Sequence, residues 1–310
     1  MPELPDICAY IRALEQRIIG TRLVGMRMSS PFVLRTVSPK PHELSGRGVT
    51  GLRRIGKQIV IALEDEFFIV IHLMIAGRFR WRDEPKAKLP GKLALAAFDF
   101  ENGTLILTEA SSKKRAAIHL VSGEEALAFF GRGGLEPLGA SLEQFREALQ
   151  RENHTLKRTL TDPRLFSGIG NAYSDEILHR AKLSPVKLTS RMTDAEVARL
   201  HDATQSALKE WMERLGAEAE SGFPSHVTAF REKMAAHGRY GKPCPTCGAP
   251  IQRIVYAENE ANYCAVCQTE GKLLADRSLS RLLKGEWPRT INELEEMRAR
   301  HGQPGADFEA

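Results

Sequence analysis

The chain lacks the features that would assign it to a membrane, a repeat array or a secreted scaffold. Among its 310 residues no stretch approaches 18 consecutive apolar positions, which a transmembrane helix needs. No internal repeat or low-complexity tract stands out. There is no signal peptide, so the five cysteines do not indicate a disulfide-stabilised secreted protein. These absences predict a soluble intracellular protein without membrane contacts.

Size and charge point to a globular protein with a polyanionic partner. With 42% hydrophobic residues, the chain is long enough for two domains. Its formal net charge is +5 and its pI is about 9.0, which fits a nucleic-acid partner without requiring one. Basic residues cluster in three separate segments, which favours a nucleic-acid groove. These residues are Arg53, Arg54 and Lys57; Lys113, Lys114 and Arg115; and Arg231, Lys233, Arg239 and Lys242.

Four cysteines in the second half of the chain predict a zinc ribbon. Cys244 and Cys247 form one CxxC pair, and Cys264 and Cys267 form a second after sixteen intervening residues. Each pair places two thiolates on one turn, and two facing turns give a tetrahedral site of four sulfurs. Four thiolates leave no open position, so the single zinc ion is expected to be structural. Two disulfides are the alternative, with the fifth cysteine, Cys8, far away on a predicted helix.

The segment between the cysteine pairs predicts a β-hairpin. The outgoing strand is expected over residues 250–256 and the returning strand over 262–263. Polar residues form the expected tip, namely Glu258, Asn259 and Glu260.

The start of the chain suggests an amine nucleophile. Pro2 is small enough to permit removal of Met1, which would leave a secondary amine at the N-terminus. An α-amino group has a pKa of about 7.7–8.0, so part of it is unprotonated near neutral pH. Attack on a sugar aldehyde carbon gives an iminium ion that cannot lose its charge by deprotonation. Glu3 is adjacent and suited to general acid–base work. Many proteins begin Met-Pro, so the alternative is an ordinary helix start at Pro5.

A glycine-rich turn at residues 168–178 leads into a predicted helix. Its backbone N–H groups suit an anion such as a DNA phosphate, and Asn171 adds a side-chain amide donor. An ordinary helix N-cap is the alternative for this segment.

The hydrophobic pattern divides the chain into a β-rich part and a helical part. An amphipathic helix is expected over residues 5–19, with Ile7, Ile11, Leu14 and Ile18 on one stripe. Asn102-Gly103 predicts a hairpin turn. Capping boxes at Ser141 and Thr193 open two helices. Strands are expected over residues 23–28, 59–63, 67–73, 79–82, 93–100, 104–108 and 116–121.

These blocks together resemble the formamidopyrimidine-DNA glycosylase (Fpg/Nei) family of base-excision repair enzymes. The resemblance covers roughly residues 1–270 and is carried by residues 2–5, by 53–57 around the lysine loop, by 168–178 and by 237–244. It implies an α+β fold: an N-terminal β-sandwich with a leading helix, then a helix–two-turn–helix domain with a zinc-ribbon finger. The implied boundaries are 1–130 for the sandwich, 131–140 for a linker, 141–238 for the helical domain, 239–270 for the finger and 271–310 for an extension.

The resemblance also implies the chemistry. Damaged DNA binds between the two domains, and an oxidised or ring-opened base is flipped out. Pro2 attacks C1′, Glu3 moves protons, Lys57 holds a phosphate or the lesion, and β,δ-elimination cleaves the strand. The implied cofactor is Zn²⁺ and the implied partner is damaged DNA, bound by a monomer associated with the nucleoid in the cytoplasm. The implied DNA contacts are His72, Met74, Ile75, Lys113, Lys114, Arg115, Lys157, Asn171, Arg239 and Asn259.

Several departures from the family leave the preferred lesion open. The apolar wedge falls at Met74 or Ile75, with Ile75 favoured by alignment on Gly77. Residues 111–115 carry lysines and arginine where the family has a phenylalanine, and Asn259 replaces a phosphate-gripping arginine. Residues 222–239 are short for a loop that caps 8-oxoguanine. We therefore expect poor activity on well-stacked 8-oxoguanine opposite cytosine.

Two rival functions remain open at the sequence level. One is a non-catalytic damaged-DNA-binding protein on the same scaffold, although retention of Pro2, Glu3 and Lys57 argues against it. The other is an RNA- or ribosome-associated protein that uses the helix–two-turn–helix and the ribbon. Covalent trapping on abasic DNA separates an enzyme from a binder.

Overall fold

The N-terminal half of the protein consists of two four-stranded antiparallel sheets preceded by one helix. The computed structural model describes residues 1–224, 227, 230–256, 259–274 and 288–300. Helix α1 spans Leu4–Ile18. The strands are β1 (Leu23–Met28), β2 (Val49–Ile55), β3 (Gln58–Leu63), β4 (Phe67–His72), β5 (Gly77–Arg82), β6 (Ala94–Phe100), β7 (Gly103–Glu109) and β8 (Ala117–Ser122). Their order is β1-β6-β7-β5 in one sheet and β2-β3-β4-β8 in the other.

One hydrophobic core joins the two sheets, which makes this part a β-sandwich as predicted. Ile61 and Ile71 from one sheet pack in the same buried cluster as Phe98 and Leu107 from the other. Strands β3 and β4 read as continuous apolar runs because their outer face is also covered, by a second cluster that includes Leu127. Burial on both faces removes the polar alternation that a half-exposed strand would show.

Helix α1 packs into this core along a stripe of helical spacing. Ile7, Leu14 and Ile18 are fully buried, as predicted; Ile11 is partly buried against the same core, and Tyr10, which was not predicted, is fully buried beside it. The Tyr10 ring lies 5.4 Å from that of Phe79, edge to face. Burial of each such side chain contributes about 1.5–3 kcal/mol to stability, so the stripe fixes the start of the chain against the sandwich.

Seven of the eight strands were predicted and β2 was not. Strand β2 carries a glycine and two arginines between its apolar residues, and no single periodicity dominates its sequence. Its pairing with β3, which runs from Val49 opposite Leu63 to Ile55 opposite Gln58, is decided by the tertiary structure. A tight turn connects β6 to β7 as predicted, but its two residues are Glu101 and Asn102, one position earlier than predicted, because Gly103 already pairs with Phe100.

Helices dominate the middle of the chain. They are α2 (Glu124–Ala128), α3 (Leu142–Gln150), α4 (Leu156–Thr161), α5 (Asn171–Ala181) and α6 (Asp194–Ser221). Both predicted capping boxes are present. The backbone N–H of Ser141 donates to the Gln144 side chain, and that of Gln144 to the Ser141 hydroxyl. Thr193 and Glu196 make the same reciprocal pair before α6.

A two-stranded hairpin with a short helix follows. The hairpin consists of β9 (Ile251–Tyr256) and β10 (Asn259–Cys264), and it continues into α7 (Ala265–Thr269). The predicted returning strand at 262–263 was too short. Asn259 and Glu260 lie in β10, because Asn259 pairs with Tyr256 and only two residues connect the strands. Glu258 lies outside the described residues. A last helix, α8, spans Ile291–Arg300.

The chain forms two compact units that interleave in sequence. The first comprises residues 1–148, 162–170 and 205–229, and the second comprises 149–161, 171–204 and 230–310. The first unit contains the sandwich, and the second contains the four cysteines. Within the part of the chain that the structure describes, no helix combines the length and apolar character that crossing a bilayer requires.

The segment after α7 packs back onto the hairpin. Leu273, Leu274 and Ile291 contact a buried cluster formed by Ile254, Tyr263 and Ala265. The backbone N–H of Leu274 donates to the Tyr263 hydroxyl over 2.8 Å. Residues 271–274 and 288–300 therefore extend the small core of the finger. A segment as short as the finger has few residues of its own with which to bury apolar surface.

Truncation after Glu270 is expected to destabilise the hairpin, because it exposes the apolar face of Ile254 and Tyr263. We expect zinc release to a chromogenic chelator to accelerate at least severalfold in the truncated protein. Glu295→Gln, an exposed change in α8, serves as the control and should release zinc at the parental rate. Equal release rates for the truncated and full-length chains would contradict a supporting role for this segment.

Candidate functional site

The N-terminus is held against a loop that lies far away in sequence. Pro2 and Glu3 are buried, and the backbone N–H of Leu4 donates to the Gly168 carbonyl over 2.9 Å. The Glu3 carboxylate accepts from the backbone N–H of Gly170 over 2.6 Å. Asp6 in turn accepts from the Glu3 N–H over 3.0 Å, which caps α1. All these groups belong to the first unit.

Lys57 reaches the same place. A Cβ atom built on Gly170 would lie 2.6 Å from the Lys57 Nζ and 2.5 Å from the Glu3 Cδ. The carboxylate of Glu3 and the ammonium of Lys57 therefore converge on the Cα of Gly170. Only glycine leaves room for both side chains at this position. The structure thus brings together two of the three predicted catalytic side chains, directly beside Pro2.

Arg54 stabilises the turn that carries Lys57. Lys57 lies on the two-residue turn between β2 and β3, where Gly56 has a φ of +59°. The Arg54 guanidinium donates to the Gly56 carbonyl over 2.6 Å and is ion-paired with Glu136. Ser167 donates to the same Glu136 carboxylate. The sequence identified Arg54 only as part of a basic cluster, since its inward orientation depends on partners more than eighty residues away.

Burial also acts on the N-terminal amine. It lowers the pKa of the Met1 ammonium below its ordinary value of 8.0, while the nearby carboxylate of Glu3 opposes the shift. The charges of Arg78 and Lys57 add to the lowering. The Met1 amine is therefore unprotonated more often at neutral pH than an exposed one.

His72 ends β4 next to this site. Burial, together with the positive charges of Lys57 and Arg132 and the neighbouring His119, lowers the pKa of His72 to about 4. Its imidazole is neutral at pH 7, so a contact with phosphate there is a hydrogen bond and not an ion pair.

The turn after His72 presents Ile75 to solvent. Met74 has a φ of +53°, and Ile75 is 55% exposed. The backbone N–H of Gly77 closes the turn on the Leu73 carbonyl, where a Cβ at residue 77 would lie 2.2 Å from that oxygen. Glycine is therefore required at 77, and the tight turn holds Ile75 outward.

The charged loop between β7 and β8 is shaped by a buried carboxylate. Lys113, Lys114 and Arg115 are exposed, and their contacts with DNA stay predictions. Glu109, 1% exposed, accepts from the backbone N–H of Arg115 over 2.9 Å and from that of Ala116 over 3.1 Å. Glu109 was missed at the sequence level because a glutamate at a strand end carries no signal of such a role.

The second unit holds the remaining predicted DNA contacts. The Lys157 ammonium is 2.5 Å from Asp175 and 2.6 Å from the Asn171 carbonyl, with its side chain 12% exposed. Asp175 also bonds His237 over 2.7 Å. Lys157 is thus part of an internal network that fixes the start of α5, and its DNA contact stays a prediction.

Arg239 and Asn259 occupy the finger. The Arg239 guanidinium donates to the Pro243 carbonyl over 3.0 Å, in the lead to the first cysteine pair. Asn259 begins β10, and its side chain lies outside the described atoms. The roles of both residues toward DNA remain predictions.

The four cysteines form the predicted metal site. The Sγ atoms of Cys244, Cys247, Cys264 and Cys267 all lie within 4.8 Å of one another, and none of the four is disulfide-bonded. Sulfurs bound at about 2.3 Å to a tetrahedral zinc are separated by about 3.8 Å. The measured separations of 4.0 Å for Cys244–Cys267 and 3.4 Å for Cys247–Cys264 bracket that value. The site fits one structural Zn²⁺ and excludes the alternative of two disulfides.

His179 contacts one of the four metal-binding cysteines. The His179 Nε2 lies 3.2 Å from the Cys244 Sγ, and both groups are buried. Such an outer partner orients a metal ligand and stabilises its thiolate. His179 was not predicted, because it lies on α5 and its approach to the cysteines depends on the fold.

Comparison with known proteins decides the family. Residues 1–115 match the formamidopyrimidine-DNA glycosylase N-terminal domain, residues 134–221 its H2TH domain, and residues 241–269 the zinc finger found in FPG and IleRS. The chain belongs to the formamidopyrimidine-DNA glycosylase family. Membership makes it a DNA-binding glycosylase of DNA repair with a four-cysteine zinc finger.

Individual relatives agree. The chain is 32% identical over 281 residues to the formamidopyrimidine-DNA glycosylase of Heliobacterium modesticaldum, which covers 86% of this chain and 100% of that protein. It is 29% identical over 277 residues to that of Lactococcus lactis subsp. cremoris, covering 86% and 99%.

Solved structures of the family are similar as well. The Lactococcus lactis enzyme non-covalently bound to DNA containing an AP site superposes with a TM-score of 0.75 at 27% identity, covering 86% of this chain and 99% of that one. The MutM (FPG) protein from Thermus thermophilus gives 0.73 at 31% identity, with 86% and 98% covered.

Proposed function

We propose that this glycosylase excises oxidised or ring-opened bases through a Pro2 iminium and then cleaves the strand by β,δ-elimination. The observation that carries the proposal is the convergence of the Glu3 carboxylate and the Lys57 ammonium on Gly170, beside the buried N-terminus. A binding protein has no need of a buried carboxylate and a lysine gathered around its terminal amine.

The reaction begins with the amine of Pro2, freed by removal of Met1. Its lone pair attacks C1′ of the lesion nucleotide, and the glycosidic electrons leave with the base, which takes up a proton. Glu3 protonates the sugar ring oxygen as the ring opens, and C1′ becomes the carbon of an iminium ion. Low amine pKa favours this step, because only the unprotonated amine is a nucleophile.

Strand cleavage then follows from the iminium. Its positive nitrogen acidifies the C2′–H bond, so loss of that proton expels the 3′ phosphate, and a second elimination expels the 5′ phosphate. Glu3 is suited to relay these protons, because its carboxylate is buried beside the amine. Lys57 carries a positive charge at the same position and is suited to hold a phosphate of the lesion nucleotide.

Damaged DNA is the proposed substrate and a monomer is the proposed acting form. Related glycosylases have been solved with DNA that contains an abasic site, which supports this substrate class. We propose that Asn171 and Arg239 contact phosphates and that the zinc finger supports the grip.

Borohydride trapping on abasic DNA tests the nucleophile. The protein with a free Pro2 should become covalently attached to the DNA, because reduction fixes the iminium as an amine. Protein whose N-terminus is blocked by a retained tag should trap at less than about one hundredth of that level, since an acylated Pro2 nitrogen has no lone pair free to form an iminium.

Peptide mapping of the trapped complex completes the experiment. The adduct should fall on Pro2. Trapping that persists with a blocked terminus, or an adduct on a lysine, would show that the nucleophile is wrong. Tight binding of abasic DNA without any trapping would favour the non-catalytic damaged-DNA-binding protein instead.

The pH dependence of abasic-site cleavage follows from the lowered amine pKa. The reactive form is the free amine, so single-turnover rates should rise with pH and level off once the amine is deprotonated. Burial lowers the pKa of the Met1 ammonium, and we expect the same cause to lower the pKa of the Pro2 amine once Met1 is removed, so the plateau should begin below pH 8. A rate that still rises steeply between pH 8 and pH 9 would contradict this environment for the nucleophile.

A further inference from the structure

The loops beside Lys57 all lie at one end of the sandwich, which we call the Lys57 end. In one sheet, β2 ends and β3 begins at the turn that carries Lys57, and the end of β4 and the start of β8 lie alongside. In the other sheet, the ends of β1 and β7 meet the starts of β6 and β5. The short turn at 73–76 joins β4 to β5, so both sheets share this end. DNA that reaches Glu3 would therefore lie beside the loops at the Lys57 end.

Phe32 lies in one of these loops with its ring in solvent. It follows β1 by four residues and is 80% exposed. The backbone on both sides is anchored: the N–H of Ser30 donates to the Leu95 carbonyl over 3.2 Å, and that of Arg35 to the Ile118 carbonyl over 2.8 Å. Val33, its neighbour, is buried in the core. The exposed ring is therefore carried on a fixed segment.

This segment runs beside the charged loop that precedes β8. Leu34 and Ile118 form a parallel β-bridge, so the residues before Leu34 lie beside those before Ile118. Val33 and Ala116 both belong to the buried core of the sandwich. Phe32 thus lies next to the loop of Lys113, Lys114 and Arg115, whose exposed side chains offer charge and no apolar surface.

We propose that Phe32 is the aromatic residue that this protein inserts against the DNA stack when the lesion base leaves the helix. The inference rests on the proposed glycosylase function. Extrusion of a base leaves a gap in the duplex, and the free-energy cost of the lost stacking must be offset. An aromatic ring can do this because it stacks on any base. Proteins that kink or open a duplex use such apolar wedges, phenylalanine and isoleucine among them.

The other exposed side chains at the Lys57 end suit different tasks. Ile75 is exposed on the tight turn after β4 and offers a second, smaller apolar group. The lysines and Arg115 are suited to phosphates, which fix position without contacting the bases. Phe32 is the exposed side chain with a flat ring in the described loops that leave the strands at this end, so we assign stabilisation of the opened duplex to it. Phe129, also exposed, lies outside these loops because it follows α2.

A fluorescence experiment tests insertion without requiring any chemistry. Duplex DNA carries a tetrahydrofuran abasic analogue, with 2-aminopurine as the opposite base. Binding of the parent protein should change the 2-aminopurine emission, because a ring entering the gap alters its stacking. Phe32→Ala should lose at least half of that change and Phe32→Trp should keep it. Val37→Ala, 91% exposed five residues further on, should behave as the parent.

Cleavage kinetics provide the second arm. Phe32→Ala should slow single-turnover cleavage of a duplex abasic site by about ten- to hundredfold, the range expected for one lost base–aromatic stack. Cleavage of the same site in single-stranded DNA should change less than twofold, since no stack must be opened.

The two arms separate the possible failures. A full fluorescence change with Phe32→Ala, or an unchanged ratio of duplex to single-strand cleavage, would overturn the assignment of Phe32. If the parent protein cleaved neither substrate, the proposed catalytic function would be refuted. The fluorescence experiment would still decide the role of Phe32.

Discussion

Gly170→Ala is expected to lower abasic-site cleavage by two orders of magnitude or more while leaving the fold intact. The new methyl group would lie 2.5 Å from the Glu3 Cδ and 2.6 Å from the Lys57 Nζ. Both atoms are the far ends of flexible side chains, so they can move aside without disturbing the backbone. A displacement of about 1 Å in a catalytic group can reduce a rate about a hundredfold.

A matched glycine provides the control for this prediction. Gly51 lies on β2 in the same unit, and a Cβ there meets nothing within 4 Å. Gly51→Ala should therefore cleave abasic DNA at the parental rate. Thermal unfolding of both variants should stay close to that of the parent. Parental cleavage by Gly170→Ala would show that Glu3 and Lys57 do not act from the positions seen here.

Cys244→Ser is expected to abolish stoichiometric zinc binding and to weaken DNA binding at least tenfold. Three remaining thiolates cannot complete the tetrahedral site, and folding of a small finger is coupled to its metal. The hairpin of β9 and β10 has a small core of its own, in which Cys244, Ile251 and Cys264 are buried together. Elemental analysis and an electrophoretic mobility shift measure the two effects.

Cys8→Ser is the control for the metal site. Cys8 is a half-buried free cysteine on α1, outside the four-sulfur cluster. This variant should retain one zinc per chain and bind DNA as the parent does. One equivalent of zinc in purified Cys244→Ser, or unchanged DNA affinity after its loss, would refute the role assigned to the finger.

The sequence was most informative where function depends on local spacing. The two CxxC pairs predicted all four zinc ligands, because each pair needs only one turn to bring its thiolates together. Both capping boxes formed as expected, and the turn between β6 and β7 lies one residue before its predicted position, since each is decided within about four residues. The family could also be recognised from the sequence, because its motifs are short and occur in a fixed order.

The sequence was least informative where strands are polar or where partners are distant. Strand β2 was missed because its arginines and glycine interrupt the alternation of apolar and polar residues. Its extended conformation is fixed by hydrogen-bonded pairing with β3, which the local sequence does not show. Asn259 and Glu260 were assigned to a hairpin tip, but cross-strand pairing extends β10 to Asn259. Tyr10 is fully buried and Ile11 only partly, since the packing of α1 against the sheets selects which residues of the stripe are covered.

By itself the sequence determined the α+β class, the zinc ligands and the residue types from which an iminium chemistry can be built. Only the tertiary structure decided that Glu3 and Lys57 meet at Gly170, that Arg54 and Glu109 brace the neighbouring turns, and that Phe32 stands exposed beside a charged loop. The physical reason is chain separation. Local motifs form from neighbouring residues, whereas Glu3, Lys57 and Gly170 are joined only after two sheets and a helix have buried a common core.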